Sequence, residues 1–394
     1  MKIKKLEKNE LFEAFKIAAY CFHMRIEDIE ATREEAEADE NVSWGAFDED
    51  GTMMAKIIDN KYDFYFDGQV IPCGGIGGVS TLPEYRDRGA VREIFRALLP
   101  DAYRSGEILS TLYPFNHEFY RKQGYEIVTF KNEYTFAPVT LKGYRFTGEV
   151  HKWDMQESVK DFLDIYREYA SKYNLSMDRT EENMLDHMKV EKPYIDRKFS
   201  YILKVDQKPV AYVIFTDIRH DPAAILQVKE CAWTCREGFY AILGFLARFE
   251  SDYGEIKLQL PMGIDLLRII RSALAYDIGK RTRQNFMVRV INAKGLLERI
   301  RKPENCDFTV KVTDEIIEEN NGTFRVLSDR VDVLECNETK KADLELDVRA
   351  LGQMAVGAVN FDEALLRKDV TVNSNEELLR KVFVEKKILV TEEF

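Results

Sequence analysis

Apolar positions in the first 125 residues change from helical spacing to short alternating runs. Six apolar residues of segment 7–24 lie near helical spacing and predict an amphipathic helix. Asp-Gly pairs at 50–51 and 67–68 predict an antiparallel meander with strands over 44–47, 53–58, 62–66 and 69–71. The predicted elements that follow are a strand over 76–81, a helix over 88–103, a strand over 108–112 and a short helix over 117–123.

A comparable order of elements recurs in the middle of the chain. Helical patterns at 155–173 and 179–188 precede predicted strands at 199–205, 209–216 and 225–234, a helix at 237–251 and a strand at 255–260. From Gln284 onward the pattern changes, with predicted strands at 307–313, 323–327, 331–335 and 342–347, two helices and a closing strand at 387–391. We therefore predict a mixed α/β protein with three domains, at 1–145, 146–284 and 285–394.

Composition is that of a large globular protein. The chain has 394 residues, 45% of them hydrophobic, which excludes both a single small domain and a disordered chain. Its net charge of -12 repels a phosphate backbone, so nucleic acid is not an expected partner. The N-terminus interleaves charges with apolar residues and predicts neither a signal peptide nor a membrane anchor. Together with six scattered cysteines, this favours a cytoplasmic protein.

Two local clusters suggest ligands without defining them. Cys231 and Cys235 have no second Cys or His pair at ligand spacing, so no metal site is predicted. Segment 27–40 carries eight acidic residues and one basic residue, Arg33. Such a run is typical of a solvated helix face, and an acidic rim for a cationic ligand is the alternative.

The glycine-rich segment 74–92 allows two interpretations. The first is a dinucleotide-binding fingerprint. That fingerprint requires a third glycine or other small anchor at position 80, where Ser80 stands, and a helix that follows at once, whereas Pro83 delays the helix. Ser80 also lacks the flanking glycines of a nucleophile elbow, so it is not a predicted nucleophile.

The second interpretation is a phosphate-binding loop. A strand through Val79 and a turn at 82–83 lead into Arg86-x-x-Gly89, which opens a helix. Gly89 permits close approach of the backbone, and the free N–H groups and dipole of the first helical turn favour a pyrophosphate. Arg86 and Arg88 add charge-assisted contacts.

This stretch resembles the GCN5-related N-acetyltransferases, whose motif is a strand, a turn and then Gln/Arg-x-x-Gly-x-Gly/Ala at the start of a helix. Val91 stands at the last motif position instead of Gly or Ala. After the strand at 108–112, the segment 113–125 is similar to the Asn...Phe-Tyr-x-x-x-Gly-Phe/Tyr ending of these domains. The resemblance implies that acetyl-CoA is the cosubstrate and that Tyr120 protonates the departing thiolate, although a packed aromatic is the alternative role for Tyr120.

The role implied for Tyr120 is chemically reasonable, because the ordinary pKa of a phenol, about 10, lies above that of a thiol. The resemblance also implies which residues hold the cofactor. The implied coenzyme A contacts are Val79, Ser80, Thr81, Arg86, Asp87, Arg88, Gly89, Ala90, Val91, Arg92, Phe115 and Asn116.

The three-part layout resembles the enhanced intracellular survival (Eis) family of acetyltransferases over essentially the whole chain. That resemblance implies a catalytic acetyltransferase domain, a second, degenerate copy without the phosphate loop, and a C-terminal domain similar to sterol carrier proteins. It further implies that the C-terminal carboxylate, here that of Phe394, receives the proton of the amine. A carboxylate with a pKa of about 3.5 needs burial or a bridging water for that role. A hexamer is implied as well.

The sequence thus predicts an N-acetyltransferase that moves the acetyl group of acetyl-CoA to a primary amine by direct attack. The acceptor classes implied by the resemblance are aminoglycosides, polyamines or lysine side chains. The alternative is a non-catalytic sensor or scaffold that binds coenzyme A or a lipid-like ligand on the same fold.

Overall fold

The computed structural model describes residues 1–190, 197–220, 223–270, 277–335 and 341–392. The chain divides into two compact units. Unit 1 comprises Met1–Val128 and Phe286–Lys386 together with Glu392, and unit 2 comprises Thr129–Asn285 and Lys387–Thr391.

The N-terminal part of unit 1 contains the predicted strand-helix-strand-helix order. Its elements, through the strand that leads into unit 2, are β1 (Lys2–Lys5), α1 (Lys8–Cys21), α2 (Ile29–Ala38), β2 (Val42–Phe47), β3 (Met53–Phe66), β4 (Gln69–Thr81), α3 (Ala90–Arg104), β5 (Leu109–Leu112), α4 (His117–Arg121) and β6 (Glu126–Phe136). Strands β1 to β4 pair antiparallel in chain order. Strand β5 lies parallel to β4, so α3 is the crossover helix of a β-α-β unit.

The predicted four-strand meander is wrong in its strand count, because β3 and β4 are each a single long strand. The pairing of β3 with β4 runs from Ala55 opposite Thr81 to Phe66 opposite Gln69. The polar residues near position 60, which lie between the predicted strands 53–58 and 62–66, remain inside β3. They are tolerated there because Lys61 forms ion pairs with Asp59 and with Glu107.

Helices α1 and α3 cover opposite faces of this sheet. Ala46 packs in the apolar cluster of α3, whereas its neighbour Phe47 packs in the cluster of α1. Successive residues of a strand point to opposite faces, so the two helices lie on different sides. Ala55 and Ile57 of β3 belong to the α3 cluster, which directs the intervening Lys56 toward the α1 face.

Two buried carboxylates, those of Asp59 on β3 and Glu107 just before β5, form ion pairs with the same lysine, Lys61. Asp59 Oδ1 and Glu107 Oε2 are buried and accept no hydrogen bond from the described residues, and a Cβ built on Gly74 would lie 2.7 and 2.5 Å from them. Burial, with a smaller contribution from the charge of Asp59, raises the pKa of Glu107 to about 7. A folded chain therefore retains a proton on Glu107 at pH values where an unfolded chain has released it.

We expect this proton to make the stability of the protein depend on pH. Between about pH 4.5 and 7 the free energy of unfolding should fall as pH rises, because only the folded Glu107 remains protonated. Glu107→Gln should remove up to about 3 kcal/mol of this dependence. Urea unfolding of both proteins at pH 5, 6 and 7 measures it. Parallel stability curves for the two proteins would contradict the assignment.

Unit 2 contains a second β-α-β unit, formed by two of its strands with a helix between them. Beyond β6, its elements are β7 (Glu149–Lys152), α5 (Lys160–Ala170), α6 (Glu181–Met188), β8 (Lys198–Val205), β9 (Lys208–His220), β10 (Ala223–Trp233), α7 (Arg236–Leu246) and β11 (Glu255–Pro261). Strand β12 (Ile278–Val290) leads back into unit 1, to which its residues from Phe286 onward belong. The strand order is β6-β11-β10-β9-β8-β7, and β10 pairs parallel with β11. Helix α7 is therefore the crossover helix of this unit.

The predicted closing strand at 387–391 is wrong. This segment forms one isolated parallel bridge, between Asn174 and Ile388, with hydrogen bonds from the Asn174 N–H to the Lys387 carbonyl and from the Leu389 N–H to the Asn174 carbonyl. An alternating run without a neighbouring strand of matching length gains too few ladder hydrogen bonds to extend further.

The C-terminal part of unit 1 is a separate five-stranded sheet with helices. Its elements are α8 (Ala293–Arg299), β13 (Asp307–Thr313), β14 (Gly322–Leu327), β15 (Val331–Leu334), β16 (Leu344–Asp347), α9 (Val348–Val356), α10 (Phe361–Ala364), β17 (Val370–Val372) and α11 (Glu376–Val382). The strand order is β15-β14-β13-β16-β17. The four predicted strands of this region are confirmed as β13 to β16.

Candidate active site

An opening separates β4 from β5 in unit 1. The parallel pairing of the two strands ends at Ile76 opposite Leu112, whereas β4 continues to Thr81 and stays paired only with β3. The backbone groups of residues 77–81 on the β5 side are therefore not used by a neighbouring strand in the described part of unit 1. Unused backbone groups along a strand are suited to binding an extended ligand.

A β-bulge lies within this unpaired part of β4. Lys56 is opposite Ser80 and Ile58 is opposite Gly77, so Ile57 faces both Gly78 and Val79. Gly78 has a φ of +56°, and a Cβ at this position would clash with Nζ of Lys56. The bulge turns backbone N–H groups near Val79 away from the regular ladder, where they are able to meet a ligand carbonyl.

The predicted phosphate loop connects β4 to α3. A single 3-10 turn over Pro83–Tyr85 leads to Gly89, which has a φ of +78° and begins α3. No side chain caps this 15-residue helix, so its first N–H groups remain for an anion. The Arg88 guanidinium lies 5.0 Å from the centre of the Tyr85 ring, and Arg92 pairs with Glu93 at 3.0 Å. The loop thus places two guanidinium groups near the N-terminus of α3, one of them paired with a carboxylate.

Val91, the departure from the acetyltransferase motif, does not obstruct this loop. Its side chain is buried, like that of Ala90, and packs in the α3 cluster. The side chain consequently points to the core, so a branched residue is tolerated at this position.

Tyr120 lies on α4 within a cage of aromatic rings. Asn116 accepts a hydrogen bond from the Phe119 N–H at 3.0 Å and so caps the helix. The Tyr120 ring is 2% exposed, and its ring partners are Phe95, Phe115, Phe119 and Tyr125, at centroid distances of 5.1–6.2 Å. Burial raises the pKa of Tyr120 above that of an ordinary tyrosine. Its hydroxyl makes no hydrogen bond to a described residue, so it is a protonated donor without a structural partner.

A buried arginine supports the turn that follows α4. Arg289 donates to the carbonyl of Gln123 at 2.9 Å and to both carboxylate oxygens of Asp314, at 2.6 and 2.8 Å. A Cβ on Gly124, which has a φ of +85°, would lie 2.5 Å from Nε of Arg289. The C-terminal part of unit 1 thus fixes the backbone that carries Tyr120.

The predicted role of Phe394 falls on a residue outside those that the structure describes. Glu392, the last described residue, contributes with burial to raising the pKa of Tyr62 to about 12, and burial is the larger cause. The end of the described chain therefore brings negative charge toward β3.

The match to known families agrees with this geometry. Residues 2–128 match the family described as acetyltransferase (GNAT) domain, and residues 292–388 match the family described as sterol carrier protein domain. The chain contains both domains. No curated protein sequence matches the chain.

Solved structures share the whole fold of this GNAT-containing chain at low identity. An N-acetyltransferase related to GCN5 from Anabaena variabilis is 19% identical, with both chains covered completely and a TM-score of 0.87. A probable N-acyltransferase of unknown function from Enterococcus faecalis is 20% identical, with 100% of this chain and 99% of that chain covered and a TM-score of 0.86. Eis1 from Mycobacterium abscessus is 18% identical, with complete coverage of both chains and a TM-score of 0.80. At these identities the likeness establishes the fold.

No group of three or more His, Cys, Asp or Glu side chains in the described ranges is arranged to hold a metal ion. Within the same ranges no helix combines the length and apolarity needed to cross a bilayer. The predicted helix in acidic segment 27–40 is confirmed as α2, and none of its residues is buried. This exposure is compatible with both interpretations of the acidic run.

Lys56 of the GNAT domain is not among the site residues predicted from the sequence. The side chain lies beside the bulge, the residue is 3% exposed, and burial lowers the pKa of Lys56 to about 8. The available signal was a single lysine in the otherwise apolar run 53–58. Sequence alone does not distinguish such a lysine from one at a strand edge, where its amine would be solvated.

Gly89→Ala should weaken cofactor binding by the GNAT domain. The positive φ disfavours any Cβ, and the added carbon would lie 3.0 Å from the Arg92 guanidinium. We expect about tenfold weaker coenzyme A binding, or ~1.4 kcal/mol, in calorimetric titrations. Gly51→Ala is the matched control, because Gly51 has a φ of +84° and nothing within 4 Å of its Cβ position. Equal affinities in the two variants would contradict a role for this loop in binding.

Proposed function

We propose that this protein is an N-acetyltransferase that moves the acetyl group of acetyl-CoA to a primary amine. The observation that carries the proposal is the opening between β4 and β5, bounded by the uncapped N-terminus of α3 and by Tyr120. An extended thioester with an anionic end fits such an opening, because backbone groups, helix dipole and proton donor follow one another along it.

Coenzyme A binding is assigned to the two segments that flank the opening. Backbone groups of Val79, Ser80 and Thr81 would pair with the pantetheine arm, as an additional strand does. The pyrophosphate would lie on the loop 86–92, with Arg86, Arg88 and Arg92 supplying positive charge. Phe115, which is 71% exposed, and Asn116 would contact the cofactor from the side of α4.

The reaction begins when a neutral amine attacks the thioester carbonyl carbon. Backbone N–H near Val79 would stabilise the negative charge that develops on the carbonyl oxygen. Tyr120 would donate its proton to the departing sulfur. The terminal carboxylate of Phe394 is the proposed acceptor of the amine proton, a role that rests on the resemblance to Eis-like proteins.

We assign this chemistry to the first of three proposed domains, at 1–145, 146–284 and 285–394. In unit 2 only two residues, Thr234 and Cys235, connect β10 to α7, whereas eight residues connect β4 to α3. Two residues are too few to form a loop around a pyrophosphate, so the second acetyltransferase-like domain is proposed to be structural. A hexameric assembly in the cytoplasm is a further expectation from the Eis resemblance, and light scattering after gel filtration tests the subunit count.

The proposed function is tested by measuring binding and turnover separately. Calorimetry with coenzyme A measures binding, and release of free thiol from acetyl-CoA measures turnover with spermidine, kanamycin and Nα-acetyl-lysine as acceptors. Amine-dependent thiol release is the expected result. Binding without turnover for every amine would instead support a coenzyme A sensor, and absence of binding would overturn both functions. The cationic acceptors also test whether α2 acts as an acidic rim.

A further inference from the structure

Lys56 places a primary amine at the bulge of β4. The side chain points to the α1 face, and its Nζ lies against Gly78, the positive-φ residue of the bulge. The positive φ of Gly78 favours glycine at this position, and a Cβ there would displace the amine from its place beside the bulge. The amine is therefore held next to the backbone that is proposed to receive the thioester carbonyl.

Lys56 is a buried residue whose amine has no counter-ion among the described residues. It makes no hydrogen bond and no ion pair to a described residue. The charged and titratable groups that act on it, Asp39 after α2 and Cys21 at the end of α1, do so only at longer range and raise its pKa less than burial lowers it. A buried ammonium without a partner carries a desolvation cost, which favours the neutral, nucleophilic form of the amine.

We propose that Lys56 is an internal acyl acceptor and that the protein acetylates its own Nζ. This inference rests on the proposed function, since the donor is acetyl-CoA bound in the opening between β4 and β5. The chemical class of the acceptor is the same as that of the external substrate, a primary amine. What distinguishes Lys56 is that its amine is already positioned inside the site.

The atoms of this step balance without another reactant. The neutral amine of Lys56 attacks the carbonyl carbon, a C–N bond forms and the C–S bond breaks. Tyr120 protonates the sulfur, one proton of the attacking nitrogen is released to water, and the tyrosine oxygen recovers a proton from water. The products are Nζ-acetyl-lysine and coenzyme A with a free thiol.

Acetylation would also remove the electrostatic cost of the buried amine. The neutral amide that forms has no charge to desolvate, so the product is better suited to this environment than the ammonium. The added acetyl group would occupy space beside the bulge and is expected to slow transfer to external amines. Self-acetylation in the absence of an acceptor would therefore lower the later rate of transfer to external amines.

The test compares acetylation of Lys56 with that of an exposed lysine. The full-length protein is incubated with acetyl-CoA, and acetylated peptides are quantified by mass spectrometry. Lys122, whose side chain is 69% exposed, is the internal comparator. Non-enzymatic acetylation by acetyl-CoA in solution should follow the exposure of each lysine side chain. Delivery from a bound donor should instead favour Lys56 by about tenfold or more, because a positioned reaction is faster than a bimolecular one. Acetic anhydride, which does not use the site, should show the reverse preference.

Two variants make the result specific. Lys56→Arg retains the charge and should remove the acetylated peptide, with the fold checked by circular dichroism and by coenzyme A binding. Tyr120→Phe should lower acetylation of Lys56 and leave that of Lys122 unchanged. Acetyl-CoA labelling that follows exposure alone would overturn the inference.

The outcomes separate this inference from the proposed function. If the protein binds coenzyme A and acetylates an external amine while Lys56 stays unmodified, only the self-acetylation is contradicted. Absence of coenzyme A binding would remove both. Acetylation of Lys56 without turnover of any external amine would retain the inference and show that the tested acceptors are wrong.

Discussion

Tyr120→Phe is expected to lower kcat about a hundredfold or more, the loss typical of removing a positioned proton donor. The substitution removes only the hydroxyl, which makes no hydrogen bond to a described residue. The ring would still pack against Phe95, Phe115 and Phe119, so the fold and the affinity for coenzyme A should be retained. Because burial raises the pKa of this tyrosine, the hydroxyl remains protonated and ready to donate at neutral pH.

Tyr125→Phe provides the matched control for this prediction. Tyr125 belongs to the same aromatic cluster, and its hydroxyl is 2.8 Å from the Ser110 hydroxyl, with which it shares a hydrogen bond. Removing it should reduce stability by about 1 kcal/mol and leave kcat nearly unchanged. Steady-state kinetics and urea unfolding of both variants measure the difference. An equal effect of both substitutions on kcat would mean that the cluster, rather than the Tyr120 hydroxyl, is what turnover requires.

Arg289→Met is expected to destabilise unit 1 by about 3–5 kcal/mol, because it leaves a buried carboxylate without its cation. The side chains of Arg289 and Asp314 are 0% and 1% exposed. The carbonyls of Gln123 and Val290 would also lose their donors. Because Gln123 lies two residues after the end of α4, the loss of these bonds should also loosen the helix that carries Tyr120.

The chain contains an exposed pair of the same chemistry as a control. Arg325 forms two hydrogen bonds with Asp307, at 2.8 and 2.7 Å, and the two side chains are 47% and 49% exposed. Arg325→Met should cost no more than about 1 kcal/mol, since water solvates both charges when the pair is broken. Urea denaturation of the two variants gives the comparison. A similarly small loss of unfolding free energy in both variants would show that the Asp314 carboxylate is solvated when Arg289 is absent.

The loop before α3 and the helix α4 were predictable because their determinants are local. Gly89 lies between a proline turn and an apolar helical pattern, and Asn116 caps the helix of Tyr120 within four residues. The strand count of the meander was not predictable, because Asp59 and Lys61 remain in β3 only through Glu107, which lies more than 40 residues away. Local propensity carries no information about such a distant partner.

Taken alone, the sequence determined the mixed α/β class, the acetyltransferase motif around Gly89 and Tyr120, and the sterol-carrier-like C-terminal part. Only the tertiary structure decided that Lys56 is a buried amine beside Gly78 and that Arg289 supports the turn at Gly124. The motif residues depend on turn geometry and helix starts, which neighbouring residues fix. The protonation of a lysine or carboxyl group depends instead on how much water the fold removes around it, and residues distant in the chain set that quantity.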